Sequence, residues 1–184
     1  GYASIEFADG IIKGNGTPEP ASLQMGFTRL SIRDLSHRAH QPMVSEDKTL
    51  ALVFNGEIYN TPWLISTYLR GVPLVSTSDT EVVLRMCQIV GLNKTIEVLN
   101  GMFALALYNG KSRKLQLARD RFGIKPLYYT ARDETLAFAS EIKPLLASGV
   151  VPTELAPECW SELAMFRYVA DPKTPFKNIQ SLPP

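Results

Sequence analysis

Cysteine and histidine are scarce in this chain, which limits the metal and redox chemistry that it can perform. Only two cysteines occur, Cys87 and Cys159, and they lie far apart without the short spacing of metal ligands. Cys87 lies inside an apolar helical pattern and is interpreted as a small core residue. The two histidines, His37 and His40, lie in a polar stretch that offers no further ligand. We therefore expect two loop histidines and no metal site.

Long apolar runs and an excess of one charge are also missing. The longest apolar runs fall far short of the about 20 residues needed to span a bilayer, and no secretory signal is visible. The 19 basic and 18 acidic residues give a formal charge of +1, and no basic stripe indicates a nucleic-acid partner. We expect neither membrane nor nucleic acid as a partner. The 184 residues suit one globular domain that buries about 70% of its unfolded surface.

Apolar periodicity predicts the elements of the first half of the chain. Alternating apolar residues predict a half-buried strand from Leu23 to Arg29. A continuous apolar run at residues 50–54 predicts a strand buried on both faces. The pair Thr61-Pro62 predicts the start of a helix, with Thr61 as its N-cap, that ends before Gly71. The S-x-x-E pattern at residues 78–81 is a capping box and predicts a second helix, which ends near Gly91.

The second half of the chain returns to antiparallel strands. A buried strand is predicted at residues 102–108, and Asn109-Gly110 after it predicts a hairpin turn. The remaining predicted elements are strands at 114–119, 127–130 and 135–139, a short helix after Glu141 and a longer helix at 157–168. This order favours the α+β class with layered antiparallel sheets over a doubly wound parallel sheet.

Three short segments carry the polar residues that are most suggestive of a site. They contribute one fixed cation, Arg29, two carboxylates, Glu57 and Asp79, and an amide beside a glycine, Asn55-Gly56. Each charged residue lies at a predicted strand end or helix start, where binding sites are usually built. An arginine matches a carboxylate bidentately, and two acids can share an ammonium group. The set suits a free α-amino acid, although isolated surface charges remain the alternative.

The pair Asn55-Gly56 has two interpretations. Asn-Gly is common in turns, which is the structural interpretation. In the functional one, the Asn55 amide and the Gly56 backbone N–H form an oxyanion hole, and the glycine lets a substrate carbonyl approach the backbone. Spacing alone does not decide between turn and oxyanion hole.

Seven motifs, in order and at similar spacing, resemble the class II glutamine amidotransferase domain of asparagine synthetases. The resemblance runs from about Met25 to the end of the chain. The motifs are residues 29–36 (RLSIRDLS), 41–43 (QPM), 55–60 (NGEIYN), 78–81 (SDTE), 101–104 (GMFA), 118–129 (ARDRFGIKPLYY) and 139–143 (ASEIK). Residues 119–129 resemble asparagine synthetases more than the amidotransferases of purine or amino-sugar synthesis. They are interpreted as scaffold.

The resemblance implies a fold and a role for each site residue. The fold is the four-layer αββα sandwich of N-terminal-nucleophile hydrolases. Arg29, helped by the backbone of Ile32 and Arg33, would bind the α-carboxylate of glutamine. The other implied site residues are Glu57 and Asp79 for the α-ammonium, with Asn55 and Gly56 as the oxyanion hole.

The chain departs from the family pattern at its beginning. The family nucleophile is a cysteine at the mature N-terminus, whose α-amine, with a pKa of about 7.7–8, suits the role of proton acceptor. This chain begins with Gly1-Tyr2, so we expect that the first strand and the cysteine are missing and that the fragment is inactive. The expected domains are residues 1–170, a truncated type 2 glutamine amidotransferase domain, and residues 171–184, the start of a linker to an absent synthetase domain.

The implied function is that of the glutaminase domain of a cytoplasmic asparagine-synthetase-like ligase in asparagine biosynthesis. The parent would hydrolyse glutamine to glutamate and ammonia for ATP-dependent amide formation on aspartate. This domain needs no cofactor, while ATP and Mg²⁺ would serve the absent synthetase domain. Expected partners are glutamine, that C-terminal domain and a second copy in a homodimer. Two alternatives remain: a non-catalytic glutamine-binding or regulatory domain, and the amidotransferase domain of a specialised amide-forming synthetase.

Overall fold

The computed structural model describes residues 2–8, 11–14, 23–28, 34, 36–132 and 135–184. The chain divides into two compact units, Gly1–Ala118 and Arg119–Pro184. None of the helices within the described ranges is long and apolar enough to cross a membrane.

The first unit contains an antiparallel sheet near the start of the chain. Its strands are β1 (Tyr2–Ala8), β2 (Ile11–Gly14) and β3 (Gln24–Thr28), in the order β2-β1-β3. β3 confirms the strand predicted to begin at Leu23, and Met25 is buried in it. No element was predicted where β1 and β2 lie.

The second sheet of this unit carries most of the apolar runs. Its strands are β4 (Met43–Val44), β5 (Leu50–Ile58), β6 (Gly101–Asn109) and β7 (Lys114–Arg119), in the order β4-β5-β6-β7. The predicted strand at 50–54 is confirmed and continues through Ile58. β5 and β6 pair along their whole length, from Leu50 opposite Asn109 to Ile58 opposite Gly101. The predicted hairpin is also confirmed, because Asn109 Oδ1 accepts the Lys111 and Ser112 N–H groups in the turn before β7.

Two helices follow the sheet strands, α1 (Thr61–Tyr68) and α2 (Asp79–Val98). The N-cap of α1 is Asn60, one residue earlier than predicted, so Pro62 lies in the first turn. α2 starts where predicted but does not end at Gly91. That glycine adopts a left-handed φ of +78°, which breaks the helical geometry, and a helix resumes up to Val98. The prediction located the break correctly and missed the continuation.

One face of the β5-β6 pair packs against the helices. The core there is formed by alternate residues of both strands with apolar residues of α1 and α2, among them Leu52, Phe54, Ile58, Leu105, Leu64, Val83 and Met86. β3 contacts β5 as well. At the end of the pair the strands approach closely, since a Cβ added to Gly56 would lie 2.2 Å from the Met102 carbonyl oxygen. A Cβ on Gly101 would lie 2.2 Å from the Glu57 carbonyl oxygen.

The second unit repeats the combination of antiparallel sheet and helices. Its strands are β8 (Tyr128–Arg132), β9 (Thr135–Ala139) and β10 (Gln180–Ser181), in the order β10-β8-β9. The predicted strand pair and the short helix, α3 (Ile142–Ala147), are confirmed. The longer predicted helix begins as a 3-10 turn at Pro157–Cys159 and continues as α4 (Trp160–Phe166). The boundary proposed at residue 170 stays a prediction, while β10 shows that residues 180–181 join this sheet.

The motif that begins at Arg119 forms a loop held by hydrogen bonds within the second unit. The buried Asp120 carboxylate accepts backbone N–H groups of Phe122, Ile124 and Lys125 at 3.0–3.1 Å. The Arg119 guanidinium donates to the carbonyl oxygens of Gly123, Lys125 and Leu182. These bonds agree with the interpretation of the motif as scaffold.

Candidate functional site

Asn55, Gly56 and Glu57 lie in the last part of strand β5. The turn interpretation of Asn55-Gly56 is therefore wrong, because both residues are paired with β6, opposite Ala104 and Phe103. The requirement for glycine at position 56 also has a cause in the sheet itself, which is the close approach of Met102. The glycine by itself thus gives no indication of a substrate.

Side-chain alternation divides this strand into two faces. Phe54 and Ile58 point into the core shared with the helices, so Asn55 and Glu57 lie on the opposite face. Both are half-buried. Among the residues that the structure describes, the Asn55 amide has no hydrogen-bond partner. Within the described ranges, this amide is thus not engaged by another group of the protein.

Asp79 brings the start of helix α2 to the end of the same strand. Its Oδ2 accepts the Ile58 backbone N–H at 3.0 Å, and its Oδ1 accepts the N–H of Thr80 at 3.0 Å. The side chain is 8% exposed. The sequence places Asp79 and Glu57 more than 20 residues apart, and the fold brings the Asp79 carboxylate to the residue next to Glu57. The two predicted ammonium ligands thus lie on adjoining segments.

The reciprocal hydrogen bonds of the capping box predicted at residues 78–81 do not form. Ser78 is the N-cap, but its hydroxyl accepts the Thr80 N–H at 3.2 Å. The Glu81 carboxylate instead accepts the Val75 and Ser76 N–H groups at 2.7–3.2 Å and the Ser76 hydroxyl at 2.6 Å. Glu81 therefore fixes the loop before the helix, and this use of the residue was not predicted.

The predicted ligands of the α-carboxylate, Arg29, Ile32 and Arg33, lie outside the described residues. Their neighbour Asp34 is described and buried. Its carboxylate accepts the Ser36 N–H at 2.8 Å and the Thr77 N–H at 2.9 Å. Asp34 thus ties the segment after the arginine to the loop that leads into Asp79.

The Asp34 contacts give a prediction about pH. The hydrogen bonds from Ser36 and Thr77 lower the pKa of Asp34 well below its usual range. A lowered pKa in the folded state stabilises the protein fully above the pKa of the unfolded state, about 3.9, and this contribution is lost as the pH falls towards the folded value. We expect Asp34→Asn to lower the melting temperature by a constant amount from pH 8 to about pH 5. The difference should shrink below about pH 4, and a difference that grows there would contradict the assignment.

Gln41 was quoted above within a motif, and no role was assigned to it. Its side chain is buried between β5 and the start of α2. Oε1 accepts the Phe54 N–H at 2.6 Å, and Nε2 donates to the Phe54 carbonyl at 3.0 Å and to the Thr80 hydroxyl at 3.4 Å. No local pattern separates such a glutamine from a surface one, because its partners lie 13 and 39 residues away.

Both cysteines are structural, as predicted for Cys87. Cys87 is buried in α2, and burial raises the pKa of its thiol to about 11. Cys159 is also buried, and its thiol donates to the Thr174 carbonyl at 3.4 Å. Over the described ranges, no group of three or more His, Cys, Asp or Glu residues could hold a metal ion.

The fold of this chain is similar to that of a known protein. A solved structure of glutamine phosphoribosylpyrophosphate amidotransferase from Bacillus subtilis matches with a TM-score of 0.67 and 20% identity, covering 85% of this chain and 39% of that one. The fold is therefore the layered α+β sandwich of antiparallel sheets of the N-terminal-nucleophile hydrolases, as predicted.

The sequence family described as "Glutamine amidotransferase domain" matches residues 13–184, and the chain belongs to this family. Asparagine synthetase [glutamine-hydrolyzing] 2 of Bacillus subtilis (strain 168) is 40% identical over 128 residues, which are 70% of this chain and 17% of that protein. Amidase chyE of Penicillium rubens is 39% identical over 131 residues, which are 71% of this chain and 19% of that protein. The chain thus spans about a fifth of the length of these relatives.

Proposed function

We propose that this domain binds free glutamine and hydrolyses its side-chain amide to glutamate and ammonia. One observation carries the proposal most directly, the 3.0 Å hydrogen bond from the Ile58 N–H to Asp79 Oδ2. It holds a buried carboxylate beside the strand that contains Asn55 and Glu57. Two carboxylates next to an uncommitted amide suit a ligand that carries an ammonium group at one end and an amide at the other.

The roles of the site residues follow from their chemistry. Glu57 and Asp79 would bind the α-ammonium of glutamine, and Arg29 with the backbone of Ile32 and Arg33 would bind its α-carboxylate. The Asn55 amide and the Gly56 N–H would donate to the carbonyl oxygen of the side-chain amide. Their bonds would strengthen as that oxygen becomes negative in the tetrahedral intermediate, which is the contribution of an oxyanion hole.

The hydrolysis would proceed through a cysteinyl thioester. The α-amine of the nucleophilic cysteine takes the thiol proton as the sulfur attacks the side-chain carbonyl carbon of glutamine, and it passes that proton to the leaving ammonia. Water then cleaves the thioester, which releases glutamate and restores the thiol. Neither cysteine of this chain suits the role of nucleophile. Cys87 and Cys159 are buried, and the raised pKa of Cys87 disfavours its thiolate near neutral pH.

The 184-residue chain alone should therefore release no glutamate from glutamine. The reason is that both of its cysteines are buried. An enzyme-coupled glutamate assay on the purified chain measures this directly, with Cys87→Ser as the matched variant. Glutamate release that disappears in Cys87→Ser would show that the nucleophile has been misplaced.

In the parent protein we propose that ammonia serves an ATP- and Mg²⁺-dependent synthetase domain that forms the amide of aspartate. The similarity to an asparagine synthetase supports aspartate as the acceptor. A second candidate is transfer of ammonia to another carboxylate, because the nearly equal similarity to a protein named as an amidase gives no acceptor. The full-length protein with glutamine, ATP, Mg²⁺ and ¹⁴C-aspartate decides between them. Labelled asparagine supports the first, and glutamine-dependent ATP hydrolysis without labelled asparagine supports the second.

A further inference from the structure

The side chain of Gln41 binds the edge of strand β5 just beyond the residues that pair with strand β4. β4 pairs with β5 at Met43 opposite Leu52 and at Val44 opposite Ala51. The same antiparallel register would place residue 41 opposite Phe54, but β4 begins only at Met43, so no backbone of β4 pairs with Phe54. The side-chain amide of Gln41 replaces the missing backbone pairing, since it accepts from the Phe54 N–H and donates to the Phe54 carbonyl.

This contact lies directly beside the proposed oxyanion hole. Phe54 immediately precedes Asn55, so a shift of the Phe54 peptide also moves the Asn55 side chain. The Gln41 amide is buried, and its two bonds to Phe54 measure 2.6 and 3.0 Å. Because a buried peptide group left without partners is costly, the geometry at Phe54 depends on this one side chain.

The same amide reaches the second segment of the site. Gln41 Nε2 lies 3.4 Å from the Thr80 hydroxyl. Thr80 follows Asp79, whose carboxylate accepts the Ile58 N–H. Gln41 thus joins the strand that carries the amide donor to the helix start that carries the carboxylate.

We propose that Gln41 is a positioning residue that sets the location of Asn55 relative to Asp79 through Phe54 and Thr80. The proposal rests on the proposed glutaminase function. A displacement of about 1 Å at a reacting group can cost about 10²-fold in rate. Loss of the Gln41 amide should therefore lower the turnover number more than it weakens the binding of glutamine.

Ser45 provides a matched control at the other end of the same strand. Ser45 is buried, and its hydroxyl accepts the Leu50 N–H at 2.9 Å and the Thr49 N–H at 3.2 Å. It thus also fixes the β5 backbone by a side chain, but at the opposite end from Asn55. Ser45→Ala measures what the loss of such a contact does to stability alone.

The experiment compares Gln41→Met with Ser45→Ala in the full-length protein, by thermal melts and by steady-state glutamate release well below the melting temperature. Both variants should have a lower melting temperature than the wild-type protein. Gln41→Met should lower kcat by about 10- to 100-fold with KM changed less than threefold, whereas Ser45→Ala should leave both constants unchanged. Should Gln41→Met not fold, Gln41→Asn, which keeps the amide on a shorter side chain, is measured in its place with the same expectation.

The experiment distinguishes a failure of the role proposed for Gln41 from a failure of the proposed glutaminase function. Active wild-type protein with a Gln41 variant whose kcat equals that of Ser45→Ala overturns the role of Gln41 alone. A raised KM with normal kcat overturns it as well, because the residue then serves binding only. Wild-type protein that releases no glutamate overturns the proposed function, and the role of Gln41 falls with it.

Discussion

Replacing Asn55 with alanine should lower the glutaminase turnover of the full-length protein by about 10²–10³ and leave KM nearly unchanged. An oxyanion donor acts on negative charge that is present only in the transition state, so its removal spares the binding of the ground state. The structure adds an expectation about stability. Because the Asn55 amide has no partner among the described residues, the melting temperature should change little.

Asn60 is the matched control, since it lies in the same motif and is the same residue type. Its amide donates to the Val98 carbonyl at 2.9 Å, and its carbonyl accepts the Asn100 N–H at 3.0 Å. Asn60→Ala should therefore melt earlier and turn over glutamine normally. Steady-state kinetics and thermal melts should therefore give opposite results for the two variants. Asn55→Ala should lose turnover and keep its melting temperature, and Asn60→Ala should do the reverse. An Asn55→Ala protein that is destabilised but has normal turnover would remove Asn55 from the site.

Local pattern was sufficient to predict the central elements around this site. The apolar run at residues 50–54 and the start of α2 at Asp79 were predicted correctly, because each depends on neighbours within one strand or one helical turn. The limits of these elements were less accurate. β5 continues through Asn55, Gly56 and Glu57 because pairing with β6 outweighs the low strand preference of Asn and Gly.

Contacts between distant segments were not predictable in the same way. Glu81 resembles half of a capping box, yet its carboxylate binds the loop at residues 75–76. Gln41 resembles an ordinary loop residue, yet its amide pairs with the backbone of Phe54, next to Asn55. In both cases a buried polar group takes the partners that the tertiary fold provides, and a local pattern contains no information about them.

Residue types nevertheless indicated two segments that the fold brings together. Asp79 and the 55–57 segment were grouped by charge and by position at element ends, before any contact between them was known. The hydrogen bond between Asp79 and Ile58 brings these two segments together. The functional roles of the individual residues rest on chemistry that only measurements on variants can test.

Asp79→Asn should lower kcat/KM for glutamine by a factor that corresponds to about 2–5 kcal/mol. This is the cost of removing one member of a desolvated charge pair. Since about 1.4 kcal/mol corresponds to a factor of ten, this is a loss of more than tenfold. The substitution removes the charge and keeps one oxygen that can accept the Ile58 N–H, but it replaces the oxygen that accepts the Thr80 N–H with an NH2 group. Asp120→Asn is the matched control, because Asp120 is also a buried carboxylate and accepts three backbone N–H groups in the second unit.

The decisive comparison for Asp79 uses glutaramate, which is glutamine without its α-amino group. If Asp79 binds the α-ammonium, Asp79→Asn should lower kcat/KM for glutamine and leave the slow reaction of glutaramate unchanged, so the preference for glutamine shrinks by the same factor. If Asp79 only supports the end of strand β5, both substrates should lose equally, as expected for a displaced oxyanion hole. Asp120→Asn should lower the melting temperature and leave the substrate preference intact. If Asp79→Asn keeps the full preference for glutamine over glutaramate, Asp79 does not bind the α-ammonium. Glu57 would then be the carboxylate that binds it.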